Sequence, residues 1–129
     1  MRAQDYNTTL LSNVRFNDNC ANVWGYVDGM GREYAIIGRT TGTSVYDVTD
    51  GSKPVLLVHI PGAQGQWREI KSFKNRVYAV ADQGQDGLLI IDMSAAPMGI
   101  QWRFWKPMIE VSDEILNIHK KDFINRAHT

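Results

Sequence analysis

Apolar residues occur in short runs along this chain, and each run is closed by Gly, Asp, Asn or Pro. Residues 8–16 (TTLLSNVRF) read as a first strand, followed by the polar turn NDNC. Residues 22–27 (NVWGYV) end at Asp28-Gly29, a strong turn signal. Strands are predicted over 33–39, 43–48 and 55–60, separated by Thr41-Gly42 and by the turn-rich stretch Thr49 to Pro54. The plan is then repeated, with strands over 66–73, 76–81, 88–92 and 100–105. The runs AII, VLLV and LLII are nearly continuous, which predicts strands covered on both faces. Residues 112–126 differ: Ser112 is an N-cap, Asp113 and Glu114 suit a first turn, and Leu116, His119 and Phe123 share one face of a short helix.

The two halves repeat each other. Trp24, Tyr34, Gly42, Asp47 and Pro54 recur as Trp67, Tyr78, Gly87, Asp92 and Pro97, at offsets of 43, 44, 45, 45 and 43 residues. Four strands in about 44 residues is the size of one β-propeller blade. The expected fold is therefore all-β, with two four-stranded antiparallel propeller blades and a short C-terminal helix. Residues 20–62 form the first repeat, 63–106 the second, and 107–129 a helical tail leading into a further repeat. An eight-stranded β-sandwich is the alternative, since it permits the same strand spacing. The repeated anchors favour blades, and the absence of helices between the strands excludes a doubly wound α/β fold.

The residues also carry a family likeness. The segment NVWGYVDGMGREYAIIGRTTGTSVYDVTDGSKP resembles the N-terminal repeats of the choice-of-anchor B family. LLIIDMSAAP at 88–97 is similar to that family's LVIVD repeat core, and SVYDVTDGSKP at 44–54 is a looser variant. PGAQGQWREIKSFKNRVYAVAD at 61–82 resembles the linker between the family's first complete repeats, and the terminal RAHT resembles the opening of a following one. The resemblance implies a non-catalytic module of an exported or cell-surface bacterial β-propeller that binds a protein or glycan. It supplies no catalytic residues. The later repeats and the anchor lie outside this chain, and 106–125 is a longer insertion than the family pattern.

Composition narrows the function classes. The 14 basic and 14 acidic residues cancel, which leaves no charge footprint for nucleic acid. No apolar run reaches transmembrane length, and the opening MRAQDYNTT is not an intact signal peptide. A single cysteine, Cys20, forbids an internal disulfide and reads as a small buried or half-buried residue. No nucleophile elbow, phosphate loop or Cys/His pair marks an enzyme. A propeller hydrolase or lyase with its site at the central channel is the alternative, and a purely structural fragment is a third reading.

The candidate site residues are few. Trp24 and Trp67 begin equivalent strands and either pack between blades or stack on a ligand at one propeller face. His128 would line the channel of a complete ring. Asp82 and Asp86 sit at positions one and five of a glycine-containing loop, a partial match to a calcium loop. Calcium is the only cofactor this suggests, and a glycine-permitted turn with solvated carboxylates is the favoured reading of the loop. Asp47 and Asp92 follow apolar strands and are expected to cap the next turn. His59 reads as an edge or satisfied histidine. Trp102, Phe104 and Trp105 predict an aromatic contact strand. Two isolated blades leave apolar faces uncovered, so the chain is expected to self-associate, as a dimer or as three copies closing a six-bladed ring. The edges offered for pairing are 8–16 and 100–105.

Overall fold

A computed structural model describes residues 7–106. Eight strands follow in chain order: β1 (Cys20–Val27), β2 (Glu33–Arg39), β3 (Gly42–Asp47), β4 (Val55–Pro61), β5 (Arg68–Phe73), β6 (Arg76–Ala81), β7 (Leu88–Asp92) and β8 (Gln101–Trp105). They form two antiparallel meanders, β1-β2-β3-β4 and β5-β6-β7-β8. The all-β expectation and its division into two four-stranded units stand. The helix predicted over 112–126, and His128, lie outside the described residues.

One core joins the sheets. Tyr34, Ile36, Val45 and Ile60 of the first sheet pack against Ile70, Val77, Leu89 and Ile91 of the second. Directly opposed residues in an antiparallel ladder share a face. The pairs Tyr34 with Asp47 and Ile36 with Val45 therefore belong to the core face of the first sheet. In the second sheet the core face holds Val77 with Ile91 and Ala79 with Leu89.

The structure corrects three sequence expectations. Residues 8–16 are not a strand. They run as an irregular strap over the outer face of the first sheet, where the Phe16 ring meets Tyr46 edge-on at 6.0 Å and Ser12 donates to the Gly51 carbonyl at 2.6 Å. Side-chain anchors hold the strap across the face, so it does not pair along an edge. The run VLLV is not covered on both faces: Val55 and Leu56 of β4 are exposed at the sheet edge. The doubly covered strand is β3, in which Thr43 to Tyr46 are all buried, because the second sheet lies on one side and the strap on the other. Cys20 is exposed at the start of β1, not buried.

The repeat is real, but only part of it follows the sequence matches. Asp47 and Asp92 are true counterparts: each accepts a backbone N–H two residues on, from Thr49 and Ser94, at 2.9 Å. Val48 and Met93 follow them and donate to the equivalent carbonyls of Glu33 and Asn75. Gly42 and Gly87 are counterparts too, each lying against a carbonyl of the fourth strand, that of Ile60 or of Trp105. The two aromatic matches fail. The residue opposite Asp92 is Arg76, so Arg76 is the counterpart of Tyr34, and Tyr78 that of Ile36. Trp24 lies inside β1 opposite Ile36, and its counterpart opposite Tyr78 is Lys71. Trp67 precedes β5 and matches no residue of β1 in kind.

This register has a geometric consequence. Asp47 lies on the face of its sheet that meets the core, whereas Asp92 lies on the face that points away from it. Equivalent faces of the two sheets do not meet. They look in the same direction, so the units are stacked head to tail.

Candidate functional site

Among the described residues, polar side chains converge in three places. The first is a closed ring on the outer face of the first sheet. Arg39 at the end of β2 donates from Nε to Asp18 Oδ1 at 2.9 Å and from Nη1 to Ser44 Oγ at 3.1 Å. Ser44 Oγ lies 2.8 Å from His59 Nδ1, and His59 Nε2 lies 3.3 Å from Thr41 Oγ1. Thr41 Oγ1 donates to Asp18 Oδ2 at 2.7 Å. A single proton assignment satisfies every link: Ser44 O–H donates to Nδ1, Nε2–H donates to Thr41, and His59 is neutral. The ring fastens the strap, through Asp18, to β2, β3 and β4. Arg39 also lies 4.3 Å over the Phe16 ring.

Ser44 and His59 have the spacing of a nucleophile and its base. They do not form such a pair. Ser44 is wholly buried, and the Arg39 guanidinium occupies its oxygen. No substrate can approach Oγ from the front.

The ring sets a pH dependence. Burial pushes the His59 pKa down from its ordinary 6.5, and the Arg39 charge adds to this; Asp18 opposes and Arg68 assists. An unfolded His59 takes a proton below that value while the folded one resists. The unfolded chain then binds more protons, so stability falls as pH drops from 7 through the folded value. Asp18 acts lower. Burial alone would raise its pKa, but the bonds from Thr41 and Arg39 hold it at about 2, against an ordinary 3.8. Its contribution is complete above about pH 4 and lost as pH falls toward 2. The urea midpoint should therefore decline from pH 7 to 5, and H59Q should flatten that part of the profile. A wild-type midpoint constant over pH 5–7 would contradict this account.

The second convergence joins the sheets. Arg68 opens β5 and is 6% exposed. Its Nε donates to the Arg39 carbonyl at 2.7 Å, and its Nη2 reaches the carbonyls of Thr40 and Ala63. Asp86 faces it across the loop, accepts the Ala63 N–H, and partly offsets the desolvation that lowers the arginine's pKa. Trp24 makes a parallel link: Nε1 donates to Ser72 Oγ at 2.9 Å, and Lys71 Nζ sits 4.9 Å over its ring.

The third is the turn after β1. Asp28 accepts the backbone N–H groups of Met30 and Arg32, Arg32 Nε at 2.7 Å and Tyr34 O–H at 2.9 Å. Burial would raise its pKa, yet these four bonds hold it far below the usual carboxylate range. Burial pushes the Tyr34 phenol up to about 12, with help from the bond to Asp28.

The sequence-predicted site residues are not brought together. Trp24 is half-buried between the sheets and is engaged there. Trp67 is 51% exposed on the linker between the sheets. Asp82 and Asp86 share a loop, but among the described residues no three acidic, His or Cys side chains converge as a metal would require. A calcium ion would have to compete with Arg68 for Asp86. Asp82 Oδ1 is buried without a hydrogen-bond partner among the described residues. Asp18, Arg39, Thr41, Ser44 and Arg68 were not singled out in the sequence. The available cue was an arginine in phase with Ile70, the residue of β5 that reaches the core. Trp102 and Phe104 of β8 are exposed, as the aromatic pattern predicted.

The fold and these clusters define a pair of packed antiparallel β-meanders with a polar staple between them. No family model, curated protein or solved structure matches the chain.

Proposed function

We propose that the chain is a non-catalytic pair of propeller-type blades from an exported or cell-surface protein, similar to choice-of-anchor B proteins, and that it acts as a protein- or glycan-binding module. The observation that carries the blade reading is the head-to-tail stacking. A two-layer sandwich built from a duplicated unit brings equivalent faces together around a dyad. Here the face bearing Asp47 is buried while the equivalent face bearing Asp92 points outward, the arrangement of consecutive blades around a ring. Each blade then expects a neighbour on both sides. The strap of residues 7–19 serves as the cap on the first, in the manner of a terminal repeat.

Binding is placed at Trp67 and at the rim of β8. Trp67 presents half of its surface on a linker that Arg68 holds in place, and an aromatic plane on a rigid support suits a sugar ring or a peptide side chain. Trp24 is committed to Ser72 and belongs to packing. The test is binding of the 129-residue chain to an immobilised panel of glycans and extracellular matrix proteins. W67A should weaken any captured ligand at least about tenfold, as loss of an interface aromatic does. Binding indifferent to W67A, or no capture across the panel, would remove this reading.

A further inference from the structure

The outward face of the second sheet is a vacant packing surface, and we propose that a second copy of this chain covers it, second sheet against second sheet, about a two-fold axis. The inference rests on the head-to-tail stacking, not on ligand binding.

The ladder supplies the argument. In the first sheet Tyr26, Tyr34, Ile36 and Val45 are between 0% and 9% exposed, because the second sheet lies on them. Their counterparts in the second sheet are Phe73, Arg76, Tyr78 and Ile90. Phe73 is 66% exposed, Arg76 is exposed, and Tyr78 and Ile90 are half-buried. The same ladder positions are thus core in one unit and surface in the next. What the first sheet buries, the second still offers.

Two features decide the occupant. Residues 107–129 are about half of one 44-residue repeat, so in a solution of this chain they cannot supply a third four-stranded unit. A copy stacked head to tail would need the outer face of the first sheet. The strap occupies the middle of that face, with Phe16 on Tyr46 and Asp18 locked to Arg39 and Thr41, and leaves open its β1 margin at Val23 and Val27. The face that remains is the second sheet's own, and a contact between identical faces closes as a dimer. Its charges suit this. Arg76 and Asp92 oppose each other on it, and Arg103 lies on it opposite Ile90. Glu69 and Lys71 lie on the same face, which therefore carries charges of both signs and can set the acids of one copy against the bases of the other.

Light scattering of the 129-residue chain across a concentration series tests this. The mass should rise from 14.6 kDa to twice that value. F73E, at a side chain too exposed to matter for folding, should raise the dimer dissociation constant at least about tenfold, because a charge then replaces the most exposed apolar side chain of the contact face. V23E, on the outer face of the first sheet and 67% exposed, should leave it unchanged. Circular dichroism confirms that both variants fold. A mass of one chain throughout would mean that solvent or residues 107–129 occupy the face, and would overturn the dimer. Masses of three copies or more, or a dimer sensitive to V23E and not F73E, would place the contact elsewhere and overturn it too. The blade reading survives a monomer, since a longer chain would still add its next unit there.

Discussion

Replacing Arg68 by alanine should destabilise the protein by about 3 kcal/mol, the size expected when one partner of a buried charged cluster is removed. The guanidinium satisfies carbonyls on both sides of the sheet interface, those of Arg39 and Thr40 from the first unit and Ala63 from the linker. Without it these acceptors stay buried, and Asp86 keeps a charge with no cation facing it. Its stem also packs on Gly38, where an added methyl group would meet the Arg68 Cβ at 3.0 Å. Lysine should not rescue the loss, because a single ammonium cannot span three acceptors that lie in different directions. Urea denaturation of R68A and R68K, both compared with wild type, measures this. If R68K matched wild type, the fork geometry would be irrelevant and the residue would act by charge alone. The effect should also appear as weaker coupling between the sheets. Amides of β1 and β5 should lose hydrogen-exchange protection before those of β3, which lies in the middle of the first sheet.

The sequence was legible where local chemistry decides the outcome. Turn residues located nearly every strand boundary, since Gly and Asp dictate backbone conformations that no distant contact changes. The Asp47 and Asp92 turns were legible for the same reason: each carboxylate bonds its own backbone two residues on. Pairing was harder. Tyr34 and Tyr78 look equivalent in the sequence and are one ladder position out of phase with the aspartates. That shift is two residues along the strand, so it keeps each side chain on its face but changes its partner, Asp47 for Tyr34 and Ile90 for Tyr78, and only the register reveals it. The strap was misread because TTLLSNVRF has strand composition, while its fate was set by Asp18 and Phe16 finding Arg39 and Tyr46, more than twenty residues away. The polar ring is equally long-range. Its five members are drawn from the strap, β2, β3, β4 and the β2–β3 turn, and none is unusual where it stands.

Gly42 and Gly87 provide the most exacting test of the repeat, and alanine at either should cost about 3 kcal/mol, combining backbone strain with a clash that the fold cannot relieve. Gly42 has φ +151° and Gly87 φ +85°, in the region that side chains rarely adopt. At Gly42 a Cβ would strike the carbonyl oxygen of Ile60, and at Gly87 that of Trp105. Ile60 and Trp105 are themselves counterparts, each in the fourth strand of its unit opposite Thr43 and Leu88. The same backbone approach is therefore built twice, at an offset of 45 residues for both the glycine and the carbonyl it faces. The cause is the crossing of the third and fourth strands at the start of their ladder, which leaves no room for a methyl group. Gly25, Gly29 and Gly99 have open space around the same position, so alanine there should change stability by less than about 1 kcal/mol. Urea midpoints for the five variants separate the two groups. Equal tolerance of G42A and G25A would mean that β3 and β4 part more easily than their pairing implies. A large effect at Gly42 with none at Gly87 would mean that β8 is loosely attached and that only the first unit is a firm blade.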